Sequence, residues 1–366
     1  VESQKQENKM RFGNLEIHNV AELLEGDGSA ITPASSLAAF AADQSSLEPY
    51  ATANAEGLWC SRVPNALRLS LNPKALVQAV HAAGAELRFN QHSESVRLVL
   101  KCNEAPGIAE IYQGSFMVGW HLVGTTPTEI TVTRPLNLDV LIRLTEQHQL
   151  PFDARLTRVL LPWQPPVRIL SVEGEFDPPQ PGQTPMRYLA YGSSITHGST
   201  SIRPTGMYAA RTAQLLGADL INLGFGGGAY LEPQMAEYIA SRTDWDFATL
   251  ETGINIPGMG PEKFGKLAEQ FISTIAGAHR DKWIFCTGVY TCGADYLGET
   301  WADEYRAVIK DIVSRLNLPR LVYVDGRALL PSLTGLTSDL LHPSPAGMEE
   351  MARNLSAVIS KSISPA

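Results

Sequence analysis

The sequence predicts two domains of different class. An all-β sandwich or jelly roll is expected over residues 1–176, and an α/β domain with a parallel sheet over residues 186–366. Three observations carry this. Residues 58–176 hold a series of short runs in which apolar and polar side chains alternate, the period of a half-buried strand. From residue 187 onward, strand-like runs alternate instead with segments of helical periodicity, the pattern of a parallel sheet wrapped by helices. Between the two lies DPPQPGQTP, residues 177–185, with four prolines in nine positions. Proline donates no N–H and resists helix and inner strand alike, so this stretch reads as a stiff linker or crossing strap.

In the first half the expected strands are LRLSL (67–71), AELRF (85–89), SVRLVL (95–100), AEIYQG (109–114), TEITVT (128–133), RLTRVLL (155–161) and VRILSVEG (167–174). Their spacing suits a sandwich or jelly roll. One segment, ALVQAVHAAG (75–84), reads as a helix. In the second half the strands are RYLAY (187–191), DLINL (219–223), DFATLE (246–251), KWIFCTG (282–288) and RLVYVD (320–325). Between them, Phe264, Leu267, Phe271 and Ile275 recur at spacings of three and four, and residues 302–316 behave likewise. Residues 345–362 place Met348, Met351, Leu355, Val358 and Ile359 on one stripe. In such folds ligands bind beyond the carboxyl ends of the strands.

Composition narrows the function. The chain has 366 residues, 44% of them hydrophobic and 18% charged, as in an ordinary globular protein. Its net charge is −9 and it has no Lys/Arg-rich run, which argues against nucleic-acid binding and against docking on anionic membranes. No apolar run reaches the ~18 residues of a membrane-spanning helix. VESQKQENK at the start lacks the apolar core of a signal peptide. Met10 suits a genetic start with residues 1–9 as an extension, while a chain opening on Val equally suits an export signal lost upstream. Cys60, Cys102, Cys286 and Cys292 form no C-x-x-C pair and read as buried thiols, so the expected location is the cytoplasm. His18, His81, His92, His121, His148 and His279 show no ligand spacing, so neither a catalytic metal nor a cofactor is expected.

Candidate chemistry begins at RYLAYGSSITHGST (187–200), where two serines and a histidine follow the first strand of the α/β domain. A phosphate-binding loop fails: Gly192 and Gly198 are one residue too far apart, and Ser199 stands where lysine is required. The G-x-S-x-G elbow fails because Thr196 replaces its second glycine, and S-x-x-K fails at His197. What remains is G-x-S-[IL]-T, which taken alone is better explained as a helix cap. Distant segments favour a nucleophile. In TSDLLHPSPAGM (337–348), Asp339 and His342 are three apart, just ahead of a helix start at Ser344–Pro345. A compact turn there can bring carboxylate to imidazole, as a serine nucleophile's base requires. After the second strand, GFGGGAY (224–230) can expose backbone N–H groups. After the third, ETGINIPG (251–258) offers the Asn255 amide, although a turn asparagine is commonplace. His197 is a rival base without an acidic neighbour.

These four segments, in this order, resemble the SGNH hydrolase superfamily, also called GDSL esterases, over residues 187–362. The resemblance implies a three-layer, flavodoxin-like domain and a serine esterase. It implies Ser194 as nucleophile within Gly192-Ser193-Ser194-Ile195, with Ser193 in the slot usually held by Asp. It implies Asp339 and His342, followed by Pro343, as the rest of a triad. The implied oxyanion donors are the N–H groups of Ser194 and Gly227, with a slip to Gly226 left open, and the Asn255 side chain, where Ile256 replaces the usual Asp. A preceding β-domain resembles the layout of two-domain carbohydrate esterases.

The long segment VYTCGADYLGETW (289–301) offers Tyr290, Tyr296 and Trp301 to stack on sugar rings or wall an acyl pocket, although packing within the protein explains each one singly. No amphipathic lid is evident, which disfavours a lipase. The expectation is therefore hydrolysis of a short acyl ester, acetyl first, on a small molecule or oligosaccharide. A general short-chain esterase or thioesterase, an acyltransferase, and a carbohydrate-binding protein with a vestigial site stand as alternatives.

Overall fold

A computed structural model describes residues 10–12, 14–25 and 57–363. The chain divides into two compact units, one spanning Asn8–Pro185 and the other built on Met186–Ala366. Residues 1–9, on which the reading of the chain start turns, lie outside the described residues.

The first unit consists of antiparallel sheets. Its strands are β1 (Met10–Phe12), β2 (Leu15–His18), β3 (Glu22–Glu25), β4 (Leu58–Ser61), β5 (Glu86–Gln91), β6 (Ser95–Cys102), β7 (Gly107–Gln113), β8 (Phe116–Val123), β9 (Thr128–Thr133), β10 (Leu156–Leu160), β11 (Val167–Glu173) and β12 (Phe176–Asp177). One sheet runs β1-β2-β5-β10-β7-β8, with β12 also on β5; the other runs β3-β4-β11-β6-β9. Alternation explains the sandwich. Val96, Leu98, Leu100 and Cys102 of β6 all point inward, and they share one core with Leu87 and Phe89 of β5 and Ile111 of β7. The proline-rich stretch lies on this unit: β12 pairs with β5, and the Gln183 amide donates to Asn90 Oδ1 at 3.1 Å.

Three local expectations for this unit are corrected. Residues 67–71 are not a strand; Asn65–Ser70 is a two-turn helix in which Arg68 is buried and Leu69 exposed, the reverse of what alternation implies. The helix expected over 75–84 spans Pro73–Gln78, capped by Asn72, whose side chain accepts the N–H groups of Lys74 and Ala75. Strand β8 and a helix at Leu138–His148 are additional elements.

The second unit is built on five parallel strands: β13 (Arg187–Gly192), β14 (Asp219–Gly224), β15 (Phe247–Glu251), β16 (Trp283–Thr287) and β17 (Leu321–Val324). Their order is β14-β13-β15-β16-β17, the doubly wound arrangement with its crossover at β13. Strands β14 and β15 are buried at every position, polar Asp219, Asn222, Thr249 and Glu251 included, as expected of strands covered on both faces. The helices fall into two packed groups. Tyr208–Leu216 packs on Pro345–Ile363, while Pro261–Ala278 packs on both Pro233–Ser241 and Trp301–Leu316. The predicted stripes are the buried ones: Phe264, Phe271 and Ile275 in one helix, and Met348, Met351, Leu355 and Ile359 in another. Helices 233–241, 261–278 and 345–363 each begin on proline, whose missing N–H would be unsatisfied in a first turn anyway.

The strand ends that carry the site are held by close backbone approach. At the end of β14, a Cβ on Gly224 would fall 2.3 Å from the His197 nitrogen. The buried Asn222 side chain locks this contact, donating to Thr196 O and accepting from Gly224 N–H, both at 2.8 Å. Because backbone rather than a flexible side chain is in the way, Gly224→Ala should destabilise the unit by about 1–3 kcal/mol or more through overpacking. Urea denaturation measures this, and an unchanged midpoint would refute the packing account.

Candidate active site

Strand β13 ends at Gly192, and the chain turns at once into a single helical turn, Ser194–His197. Ser193 is its N-cap: the Ser193 hydroxyl oxygen accepts Ile195 N–H at 3.1 Å. The cap reading of the serine doublet therefore belongs to Ser193. Ser194, left without that duty, places its Oγ 2.8 Å from His342 Nε2, across 148 residues of sequence.

His342 lies in a turn closed by a hydrogen bond from Thr337 N–H to His342 O at 2.8 Å. Leu340, at φ 54°, makes the reversal that Asp339 and His342 flank. Asp339 Oδ1 accepts three donors: the Thr337 hydroxyl at 2.7 Å, and Leu341 N–H and His342 N–H at 2.9 Å each. Asp339 Oδ2 takes His342 Nδ1–H at 2.6 Å. With Nδ1 protonated toward Asp339, the Nε2 lone pair faces the Ser194 hydroxyl. Desolvation works against the Asp339 charge, but the hydrogen bonds from His342 and its neighbours outweigh it and hold the carboxyl well below the usual aspartate range. The turn is fastened on three sides. Ser344 Oγ accepts Gly347 N–H at the start of helix 345–363, Gly293 N–H donates to Leu340 O at 2.6 Å, and the Thr200 hydroxyl donates to Pro343 O. The last contact ties the loop after Ser194 directly to the histidine turn.

The expected oxyanion donors lie at the ends of adjacent strands. Asn255 Oδ1 accepts Ala229 N–H at 3.1 Å, which fixes the amide and leaves its NH2 with no acceptor among the described residues. Gly226 and Gly227, left open by the sequence, are distinguished here. Gly226 N–H donates to His197 Nδ1 at 3.4 Å. Gly227 N–H, in a residue at φ 67°, meets no acceptor among the described residues, and neither does Ser194 N–H. His197 is 2% exposed and accepts Gly226 N–H, so it supports this loop, while Ser194 Oγ bonds His342.

One participant goes unmarked in the sequence. Glu251, the last residue of β15, is 2% exposed and accepts from Ser193 N–H at 2.9 Å, from the Ser193 hydroxyl, and from the Thr196 hydroxyl at 2.5 Å. Desolvation raises its pKa, opposed by these hydrogen bonds. It stands four residues before Asn255, in the same ETGIN segment in which sequence reasoning picks out only the asparagine.

The expected aromatic wall is corrected in part. Tyr290 is 1% exposed, and its hydroxyl bonds Tyr208 at 3.0 Å inside the unit, so it offers no stacking face. Trp301 sits at a helix start, with its indole N–H on Glu299 and its ring edge-on to Tyr305. Tyr296 is half exposed on the short helix Ala294–Leu297, just beyond Gly293 and hence beside the histidine turn. Among the described residues no His, Cys, Asp and Glu side chains cluster as metal ligands, and the four cysteines are buried and unpaired.

Residues 190–350 match the model of the GDSL-like Lipase/Acylhydrolase family. No curated protein sequence matches the chain. Among solved structures, the salicylyl-acyltransferase SsfX3 from a tetracycline biosynthetic pathway is similar at TM-score 0.73 and 18% identity, covering 96% of each chain. A candidate GDSL-like lipase from Bacteroides ovatus follows at TM-score 0.64 and 20% identity, covering 83% of this chain and 91% of that one. A family two carbohydrate esterase from Clostridium thermocellum, in complex with cellohexaose, is similar at TM-score 0.54 and 18% identity, covering 76% and 92%. At these identities the likeness is one of fold.

The Asp339 environment is directly measurable. A depressed folded pKa means that the charge-dependent stabilisation is fully present above the unfolded value of about 3.9 and is lost as pH falls through the folded one. Carboxyl-carbon NMR should show Asp339 titrating below about 3.9, and His342→Ala, which removes the imidazole donor, should raise the midpoint. A wild-type midpoint at or above that value would contradict the geometry.

Proposed function

We propose, from the match of residues 190–350 to the GDSL-like Lipase/Acylhydrolase family model, that the protein is a serine esterase acting through Ser194, His342 and Asp339. The observation that carries the proposal is the continuous hydrogen-bonded chain Ser194 Oγ–His342 Nε2 and His342 Nδ1–Asp339 Oδ2, at 2.8 and 2.6 Å. Ser194 Oγ attacks the ester carbonyl carbon while its proton passes to His342 Nε2. Asp339 holds the ring and balances the imidazolium charge. The carbonyl oxygen, now negative, takes the three donors that the protein leaves without acceptors: Ser194 N–H, Gly227 N–H and the Asn255 amide. Collapse expels the alcohol with the proton from His342. Water, deprotonated by the same imidazole, then releases the acid and restores Ser194.

The substrate we assign is a short acyl group, acetyl first, on a carbohydrate. The segment between β16 and helix 301–316 contains only the four-residue helix Ala294–Leu297, too short to be an apolar lid over a lipid chain. Tyr296 and Leu297 on that helix are exposed next to the histidine turn and offer an apolar platform of the kind sugar rings stack on. In the similar C. thermocellum structure the bound molecule is cellohexaose. A second reading, acyl transfer to an alcohol acceptor, is favoured by the likeness to the acyltransferase, which spans nearly the whole chain. Both readings share one acyl-enzyme and differ in what resolves it.

Ser194→Ala and His342→Ala should abolish acetate release while the fold is kept. Asn255→Ala should lower kcat by about 100–1000-fold, the usual loss for one oxyanion donor. Full activity in Ser194→Ala would end the proposal. Acetylated oligosaccharides should be turned over in preference to p-nitrophenyl octanoate, and preference for octanoate would exclude the short-acyl assignment. Adding free alcohols or sugars and following product by mass spectrometry decides the second reading: net acyl transfer outpacing hydrolysis makes the protein a transferase.

A further inference from the structure

Glu251 has the environment of a carboxylate with a task. It is buried, and the groups that meet its oxygens are donors: Ser193 N–H, the Ser193 hydroxyl and the Thr196 hydroxyl. Ser193 Oγ already accepts Ile195 N–H, so its hydrogen is available for Glu251. Thr196 Oγ1 also bonds the Tyr208 hydroxyl at 2.7 Å, which in turn bonds the Tyr290 hydroxyl at 3.0 Å. Ser193 N–H can only donate and both hydroxyls are free to, so the surroundings suit a carboxylate at Glu251. The carboxylate also lies hard against the backbone: a Cβ at Gly192 would fall 2.3 Å from Glu251 Oε2 and equally close to Thr196 Oγ1.

The residues it grips are the ones on either side of Ser194. Ser193 precedes the proposed nucleophile and Thr196 follows two later, so the one carboxylate fixes the peptide before Ser194 and the turn after it. Resting on the reading of Ser194 as nucleophile, we infer that Glu251 is the positioning residue of this loop, a buried carboxylate on the neighbouring strand that sets where Ser194 Oγ and Ser194 N–H point. It reaches neither substrate nor His342 in this role; it acts through the Ser193 and Thr196 backbone and hydroxyls. An acid side chain at position 193 could supply a charge at the same point from within the loop. Here Ser193 makes the cap and strand β15 provides the charge.

The test is a charge relocation. Glu251→Gln keeps size and hydrogen-bonding capacity but turns an amide donor toward groups that are themselves donors. It should lower kcat by about 10–100-fold, as small displacements of reacting atoms do, with KM unchanged. Ser193→Asp should also impair, because it sets two carboxylates together. The double variant Ser193→Asp/Glu251→Gln restores one charge facing an amide donor, and should exceed both single variants in kcat. Crystal structures provide a readout that needs no activity: the Ser194 Oγ–His342 Nε2 separation, 2.8 Å in the wild type, should open beyond about 3.5 Å, past hydrogen-bonding range, in Glu251→Gln. A Glu251→Gln kcat within about twofold of wild type overturns the inference. So does a loss of kcat that merely follows the folded fraction by circular dichroism, with the separation still 2.8 Å. Should the wild type lack esterase activity, the ester reading falls, while the separation in Glu251→Gln still decides the positioning role.

Discussion

The site depends on how closely the loop after β13 can lie against the ends of its two neighbours. On one side, Gly224 of β14 meets the His197 backbone where a Cβ could not fit; beneath, the Glu251 carboxylate from β15 fills the space beside Gly192. Both contacts require glycine for lack of room, and neither glycine has a positive φ. The consequence is geometric. A single helical turn is pressed onto the strand ends, and Ser194, whose N–H has no acceptor among the described residues, sits at the start of that turn, at the carboxyl edge of the sheet. The doubly wound order makes this place available, because β13 is where the chain reverses direction across the sheet.

The α/β unit is legible in the sequence because its strands are buried on both faces and its helices on one. Short strand-like runs alternating with three-to-four spacings mark a wrapped parallel sheet, and Phe264, Phe271 and Ile275 lie inside as their spacing demands. The sandwich is legible where alternation is long, as in β6. Alternation misleads where it is short: Leu67, Leu69 and Leu71 alternate by chance within a two-turn helix that buries Arg68 instead. Strand β8 goes unread because the apolar triple Phe116–Val118 masks the alternation of Val118, Trp120 and Leu122 that follows. On this edge strand those three apolar side chains are exposed, the reverse of the usual pattern.

At the site, the parts that can be read are those in which chemistry and local spacing coincide. Asp339 and His342 are three apart, and a turn is all that joins them. Ser194 and His342 are 148 residues apart, and only the shared rim of a parallel sheet makes them neighbours. Glu251 is invisible for a different reason. As the last residue of a strand it looks like an ordinary polar terminus, and its partners look like loop hydroxyls, Ser193 the helix cap that it also is and Thr196 within the turn. Tyr290 illustrates the opposite error. An aromatic residue in a site-facing loop suggests a binding wall, but the Tyr290 ring is buried and its hydroxyl bonds Tyr208 inside the unit.

A common device runs through the site. Asn255 engages Oδ1 with Ala229 N–H, so its NH2 is held outward. Asp339 engages Oδ1 with two backbone N–H groups and Thr337, so Oδ2 is held on the imidazole. In the serine doublet the same division is made between two residues, Ser193 capping the helix and gripping Glu251 while Ser194 faces His342. In each case one polar atom is fixed to the scaffold and its twin is aimed at the proposed site. An amide or carboxylate bound by one atom keeps a single rotamer, and its second atom is then aimed without any contact of its own. For the proposed reaction, this orders the donors and the base before a substrate binds. The reorganisation that water would require at the moment of reaction has already been done by folding.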